Sequence, residues 1–180
     1  MRVLHLTQND YKVSAWSGGT TTELFIWPVG ADYGKREFSF RVSSATVDLE
    51  ESDFTPLPGV ERYITPISGG FTLKHPGKPA VVMGPMAAPY RFSGGEDTHC
   101  VGRATDFNLM CKGVAGEMTV CAGTAPVRPG FNCFYAPEGG RFTLDGNYDL
   151  AAGETLVVFA EEAAAIDLGN AKVIACWAEI

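Results

Sequence analysis

Short runs in which apolar and polar residues alternate recur along the chain. In residues 37–42, EFSFRV, Phe38, Phe40 and Val42 alternate with Ser39 and Arg41, the period of a strand with one buried face. Further strands are expected at residues 71–73, 80–83, 117–121, 131–135, 141–144, 155–159 and 172–177, where β-branched and aromatic residues dominate. The 21 glycines and 11 prolines punctuate these runs every ten residues or so, the spacing of an all-β sandwich or barrel. Helical signal is thin. An Ala-rich stretch at 161–165, ended by Gly169, and the LEESDF segment before Pro56 each allow a short helix or turn.

Residues 69–73 read GGFTL and residues 139–144 read GGRFTL, with Pro66 and Pro137 upstream. This internal echo suggests a duplicated sheet, although Gly-Gly before a strand is also common turn chemistry. LAAGETLVVF at 150–159 reads as a hairpin in which a glycine supplies positive φ.

The formal net charge of −7 disfavours nucleic-acid and anionic-membrane partners. A hydrophobic fraction of 46% is enough for a packed core and disfavours disorder. The 5 cysteines are odd in number and never spaced as CxxC, so they read as buried apolar residues in a reducing, cytoplasmic compartment rather than as disulfides or a zinc knuckle. The N-terminus has no apolar run of signal-peptide length, and no stretch is long and apolar enough to span a membrane.

No metal or other cofactor is expected. The 3 histidines, His5, His75 and His99, form no HxH pair with a following Glu, and each reads as a surface or edge residue. There is no GxSxG elbow and no phosphate loop. The polar candidates lie on strand faces instead. In WSGGTTTEL (residues 16–24), Thr21 and Glu23 share one face and Thr20 and Thr22 the other. In FSFRVSSATV (38–47), Ser39, Arg41 and Ser43 share a face, where a guanidinium would pair with Glu23 or with a ligand's carboxylate. Arg62 leads into an apolar strand. In DFNLM (106–110), Asp106 and Asn108 share one face, Phe107 and Leu109 the other. Each has a plain structural reading as well: an exposed edge strand, a surface ion pair, a turn-stabilising Asn.

WSGGTTTEL, FSFRVSSATV, FTPLPGVERYITPISGG and DFNLM, in this order, resemble the HutD/Ves family, and RFSGGE at 91–96 resembles its Phe-Gly-Asp turn. The resemblance spans roughly residues 14–112 and extends weakly through LAAGETLVVF. It implies two cupin-like β-barrel halves without metal-binding histidines. It also implies a link to histidine utilisation, with a small acidic metabolite such as urocanate or formylglutamate as ligand; other members are described only as stress- or cold-associated. Many members carry Lys-Asn-Gly-Gly-Gly after the Trp and an Arg before the Glu. Here Ser17-Gly18-Gly19 follows Trp16 and Thr22 precedes Glu23, so a basic pair is missing and the ligand is expected to differ or to carry less charge.

The expected fold is therefore all-β, a double cupin-like barrel or jelly roll (a bicupin) with little helix, as one domain over residues 1–180 with halves near 1–100 and 101–180. The expected function is to bind a small, polar, carboxylate-bearing metabolite, with a regulatory role in histidine utilisation or stress response. Arg41 or Arg62 would clamp the carboxylate. Thr21, Glu23, Ser43 and Asn108 would add polar contacts, and Trp16 and Phe107 apolar walls. The alternative is a metal-independent isomerase or hydrolase with Glu23 as general base, which contact between Glu23 and an Arg would count against. A third reading is an interaction scaffold with a filled interior. A homodimer is compatible with the pattern.

Overall fold

The computed structural model describes residues 1–180 and contains strands, turns and one 3-10 turn at Gln8–Asp10, with no α-helix. No helix is long and apolar enough to cross a membrane. The chain divides into two compact units: Lys12–Gly113, and Met1–Tyr11 together with Val114–Ile180. The boundary expected near residue 100 falls inside a strand of the first of these, and the first eleven residues join the second because Arg2–Leu6 pairs antiparallel with Glu154–Ala160.

In chain order, β1 is Arg2–Leu6, β2 Lys12–Trp16, β3 Gly19–Trp27, β4 Phe40–Val47, β5 Glu51–Asp53 and β6 Glu61–Gly69. Then follow β7 Phe71–Lys74, β8 Val81–Met83, β9 Tyr90–Ser93, β10 His99–Val101 and β11 Ala104–Cys111. The remaining strands are β12 Gly116–Cys121, β13 Thr124–Val127, β14 Gly130–Ala136 and β15 Gly140–Thr143. After them come β16 Asn147–Leu150, β17 Glu154–Ala160, β18 Ala164–Asp167 and β19 Val173–Ala178.

The unit Lys12–Gly113 pairs a 6-stranded sheet, β2-β3-β4-β11-β6-β9, with a 4-stranded sheet, β5-β10-β7-β8. Its core takes Val47, Ile64 and Phe92 from the larger sheet and Phe71, Leu73, Met83 and Cys100 from the smaller. The other unit pairs a 5-stranded sheet, β1-β17-β14-β19-β12, with a 4-stranded sheet, β13-β18-β15-β16. Phe134, Leu156, Val158 and Val173 meet Ala125, Phe142 and Ile166 in its core.

The strand orders repeat. The series β4-β11-β6-β9 matches β12-β19-β14-β17, and β5-β10-β7-β8 matches β13-β18-β15-β16. The Gly-Gly echo thus opens equivalent strands, β7 and β15. Gly69 and Gly139 adopt φ of 71° and 78°, the left-handed conformation that favours glycine.

The expected strands form, with two kinds of exception. The strand anticipated from Glu37 begins only at Phe40, because Ser39 N–H is used by the Trp27 carbonyl. Neither possible helix forms: residues 51–53 pair with β10 and residues 164–167 with β13. Both candidates are shorter than a stable helix, and the sheets take their backbone groups instead.

At Gly69 a Cβ would meet the Arg103 carbonyl oxygen at 2.5 Å, whereas at Gly59, with φ of 78°, it would meet nothing within 4 Å. Gly69→Ala is therefore expected to lower stability by about 1–3 kcal/mol more than Gly59→Ala. Urea unfolding of the two variants side by side measures the difference; equal losses would show that the close backbone approach at Gly69 carries no weight.

Candidate functional site

β4, β11 and β6 lie side by side in the larger sheet of Lys12–Gly113, and their register brings polar side chains into rows. Met110 of β11 sits between Arg41 of β4 and Arg62 of β6. One step along the same face, Asn108 is opposite Ser43, and Asp106 is opposite Ala45. On β3, Glu23 pairs with Ser43 and Thr21 with Ala45 before a bulge shifts the register to Phe25–Val42. A cavity of about 260 Å³ opens on this face. The sheet contributes Trp16, Thr21, Arg41, Ser43, Arg62, Asp106 and Asn108 to its walls, and Tyr33, Arg36 and Phe54 join them from outside it.

Arg62 is 6% exposed. Its Nη2 donates to Asn108 Oδ1 at 2.9 Å, and its guanidinium carbon lies 5.1 and 5.2 Å from the ring centres of Phe54 and Phe92. Its Nε is buried without a hydrogen-bond partner. Burial pulls its basicity below the ordinary arginine value, partly opposed by the charge of Asp106. Asn108 Nδ2 in turn donates to Asp106 Oδ1 at 2.6 Å. The amide orientation is forced, since a flip would set its NH2 against the guanidinium. Asp106 is 2% exposed, and desolvation raises its carboxyl from the ordinary 3.8 to about 7, against the pull of Arg62 and the Asn108 hydrogen bond.

Arg41 is buried and its Nε donates to Glu23 Oε2 at 2.6 Å. Its guanidinium carbon lies 4.0 Å from the Tyr33 ring centre, and that of Arg36 lies 4.4 Å from the same ring. Trp16 packs edge-on against Phe54 at 6.3 Å, and its buried Nε1 has no partner. The glycine after Ser17 has a packing cause: a Cβ on Gly18 would collide with the Trp16 ring.

Of the residues anticipated from strand parity and family resemblance, Trp16, Thr21, Arg41, Ser43, Arg62 and Asn108 line this cavity. Glu23 does not. It engages Arg41, the contact that counts against its use as a general base. Phe107 does not either: it is fully buried on the opposite face of β11 from Asp106 and Asn108, as the two-residue strand period requires. Asp106 shares the face of Asn108, and that parity was the signal for it. Tyr33 and Arg36 come from the loop between β3 and β4, where no periodicity exists; Arg36 brings a cation to the cavity whose opening motif lacks a basic pair.

The structure corrects one histidine. His75 is buried, 5.7 and 5.2 Å from the Tyr90 and Phe92 ring centres, rather than at the surface. His5 contacts Glu154 and His99 contacts Asp53. No group of three or more His, Cys, Asp or Glu could hold a metal ion. The cavity's guanidinium groups would moreover repel a cation. All cysteines are free, and only Cys121 is less than buried.

The strands equivalent to β4, β11 and β6 line a second cavity, of about 270 Å³, in the other unit. Its polar groups are partnered. Arg128 Nη1 meets Glu117 at 2.8 Å, Trp177 Nε1 donates to the Pro129 carbonyl, and Asn132 bonds to backbone groups. Of these two cavities, the Arg62 cavity is the one whose lining residues include buried N–H donors without a partner, Arg62 Nε and Trp16 Nε1.

Two outcomes test this geometry. Gly18→Ala is expected to displace the Trp16 indole, altering tryptophan fluorescence and near-UV circular dichroism while far-UV spectra hold; unchanged spectra would show that the ring is not seated on Gly18. Because the folded-state value of Asp106 is raised, its protonation favours folding below about pH 4, and that contribution is lost as pH climbs through about 7. Asp106→Asn removes this dependence. Relative to wild type, the variant should gain stability between these limits, by at most about 4 kcal/mol. Urea midpoints of both proteins across that range read the effect, and parallel curves would contradict it.

The HutD family model matches residues 8–176. HutD from Pseudomonas fluorescens SBW25 (formate condition) superposes with a TM-score of 0.83 at 21% identity, covering 99% of this chain and 98% of that one. PA5104 from Pseudomonas aeruginosa PAO1, a conserved protein of unknown function, gives 0.85 at 22% identity over 100% of both chains. A cupin 2 conserved barrel domain protein from Leptotrichia buccalis gives 0.59 at 10% identity over 93% of this chain and 91% of that one. A search of curated proteins returns no match. The fold is cupin-like, and the chain belongs to the HutD family.

Proposed function

We propose that the protein is a binding protein for a small carboxylate-bearing metabolite, with a regulatory role in histidine utilisation. One observation carries the reading: two buried N–H donors, Arg62 Nε and Trp16 Nε1, belong to residues lining one cavity and have no acceptor within the protein. A buried donor without a partner costs about 1–3 kcal/mol, and an anionic oxygen placed against it returns that and adds a charge-assisted hydrogen bond. The cavity lining carries three guanidinium groups, Arg36, Arg41 and Arg62, against one carboxyl, Asp106, so the site favours an anion. The cavity suits a molecule of a few carbons, the size of urocanate or formylglutamate. An open interior also sets this unit apart from a filled scaffold.

Arg62 would clamp the carboxylate. Arg41 is held by Glu23 and stacked on Tyr33, which fixes its position as a second positive wall. Ser43 and Thr21 would supply hydroxyls. The enzyme reading with Glu23 as base finds no support in the geometry, because that carboxylate is engaged by a guanidinium.

A thermal-shift screen with urocanate, formylglutamate and histidine tests the proposal. The two acids should raise the melting temperature and zwitterionic histidine should raise it less. Arg62→Ala and Arg41→Ala should each weaken binding by about tenfold or more. If none of the acids stabilises the protein, or if both variants respond as wild type does, there is no carboxylate clamp.

A further inference from the structure

We propose that Asp106 is a ligand-binding group that acts in its acid form: it donates a hydrogen bond to the bound carboxylate, so that anion capture at the arginine cavity takes up a proton. This rests on the cavity being the anion site proposed above.

No ion pair reaches Asp106 directly; its hydrogen bonds come from Asn108 Nδ2 and the Ala45 backbone N–H. It lies in the middle of β11, buried, on the cavity face. Arg62 reaches it only through Asn108, whose oxygen accepts from Arg62 and whose nitrogen donates to Asp106 Oδ1. Asp106 therefore has only neutral donors where an ion pair would be needed to hold a desolvated charge. Desolvation dominates, and the carboxyl titrates near neutrality.

The charged and titratable groups around it are few. From β4 comes Arg41, tied to Glu23 of β3; from the β3–β4 loop come Arg36 and Tyr33; from β6 comes Arg62. From β10 comes the Cys100 thiol, pushed up to about 12 by burial and then by Asp106. Among these groups Asp106 is the one set to change charge close to neutral pH.

A carboxylate seated against Arg62 would place a second negative charge beside Asp106. Two carboxylates sharing a site cannot both stay ionised cheaply, so one proton is retained between them. With Oδ1 committed to Asn108, the proton belongs on Oδ2, where it makes a short hydrogen bond to the ligand. Every group around the anion is then a donor: Arg62 Nε, Trp16 Nε1 and the Asp106 hydroxyl. By linkage, affinity should fall by about tenfold per pH unit above the titration of the free site.

Isothermal titration calorimetry with formylglutamate decides the matter. Its carboxyl groups are ionised well below neutrality, so any proton taken up belongs to the protein. In buffers of differing ionisation enthalpy near pH 8, wild type should take up close to one proton per ligand, and Asp106→Asn none. The variant's amide presents N–H where the acid presents O–H, so its affinity near pH 8 should match that of wild type near pH 6. Binding without proton uptake, or uptake unchanged in the variant, overturns the role of Asp106 and leaves the carboxylate site standing. No binding at any pH overturns both. Should Asp106→Asn fail to fold, the wild-type affinity profile suffices, and a flat profile from about pH 6 to about pH 9 overturns the inference.

Discussion

A guanidinium taken out of water must be given acceptors or aromatic faces in return, and Arg62 receives only part of that compensation from its own chain. Asn108 takes one N–H, and Phe54 and Phe92 flank the group, but Nε is left bare. The rest of the site follows from this shortfall. Asn108 must turn its oxygen to Arg62, which turns its nitrogen to Asp106. Asp106, denied a direct ion pair, is pushed towards its neutral form. The same burial lowers Arg62 and raises Asp106, and each residue's charge draws the other back. Burial prevails for both.

The repeated strand order shows how much of this is architecture and how much is chemistry. Equivalent strands line cavities of similar size in the two units. In one, Trp177, Arg128 and Asn132 find partners within the chain; in the other, Trp16 Nε1 and Arg62 Nε do not. The jelly-roll framework creates the hollow, and the residues at a few inward positions decide whether it is closed upon itself or left ready for a ligand. Residues that seal their own hydrogen bonds favour stability, whereas Arg62 and Trp16 hold unmet donors of the kind found at functional sites.

Strand faces were legible because the side-chain period along a strand is two. That alone places Arg41 with Ser43, and Asp106 with Asn108, on what proves to be the cavity side. Applied consistently, the same rule excludes Phe107 from a cavity that Asn108 lines. The bulge after Glu23 was not legible; Glu23 was one of two partners the sequence allowed Arg41, and the strand register, which local pattern does not set, makes the pair. Tyr33 and Arg36 lie in an aperiodic loop, and only the folded backbone brings them over the site. His75 looked like a turn residue from its Pro-Gly sequel, yet its ring is buried against Tyr90 and Phe92, a contact set by tertiary packing.

The central claim is that the unpartnered donors of Arg62 and Trp16 await one and the same anion. Nitrogen-edited NMR of the Arg62 Nε and Trp16 Nε1 protons, followed during a formylglutamate titration, tests it most directly. Both resonances should move downfield with one shared saturation curve and become protected from solvent exchange, while Trp177 Nε1, already bonded to the Pro129 carbonyl, stays still. Saturating ligand that leaves the Arg62 and Trp16 resonances in place, or moves Trp177 instead, would contradict the account.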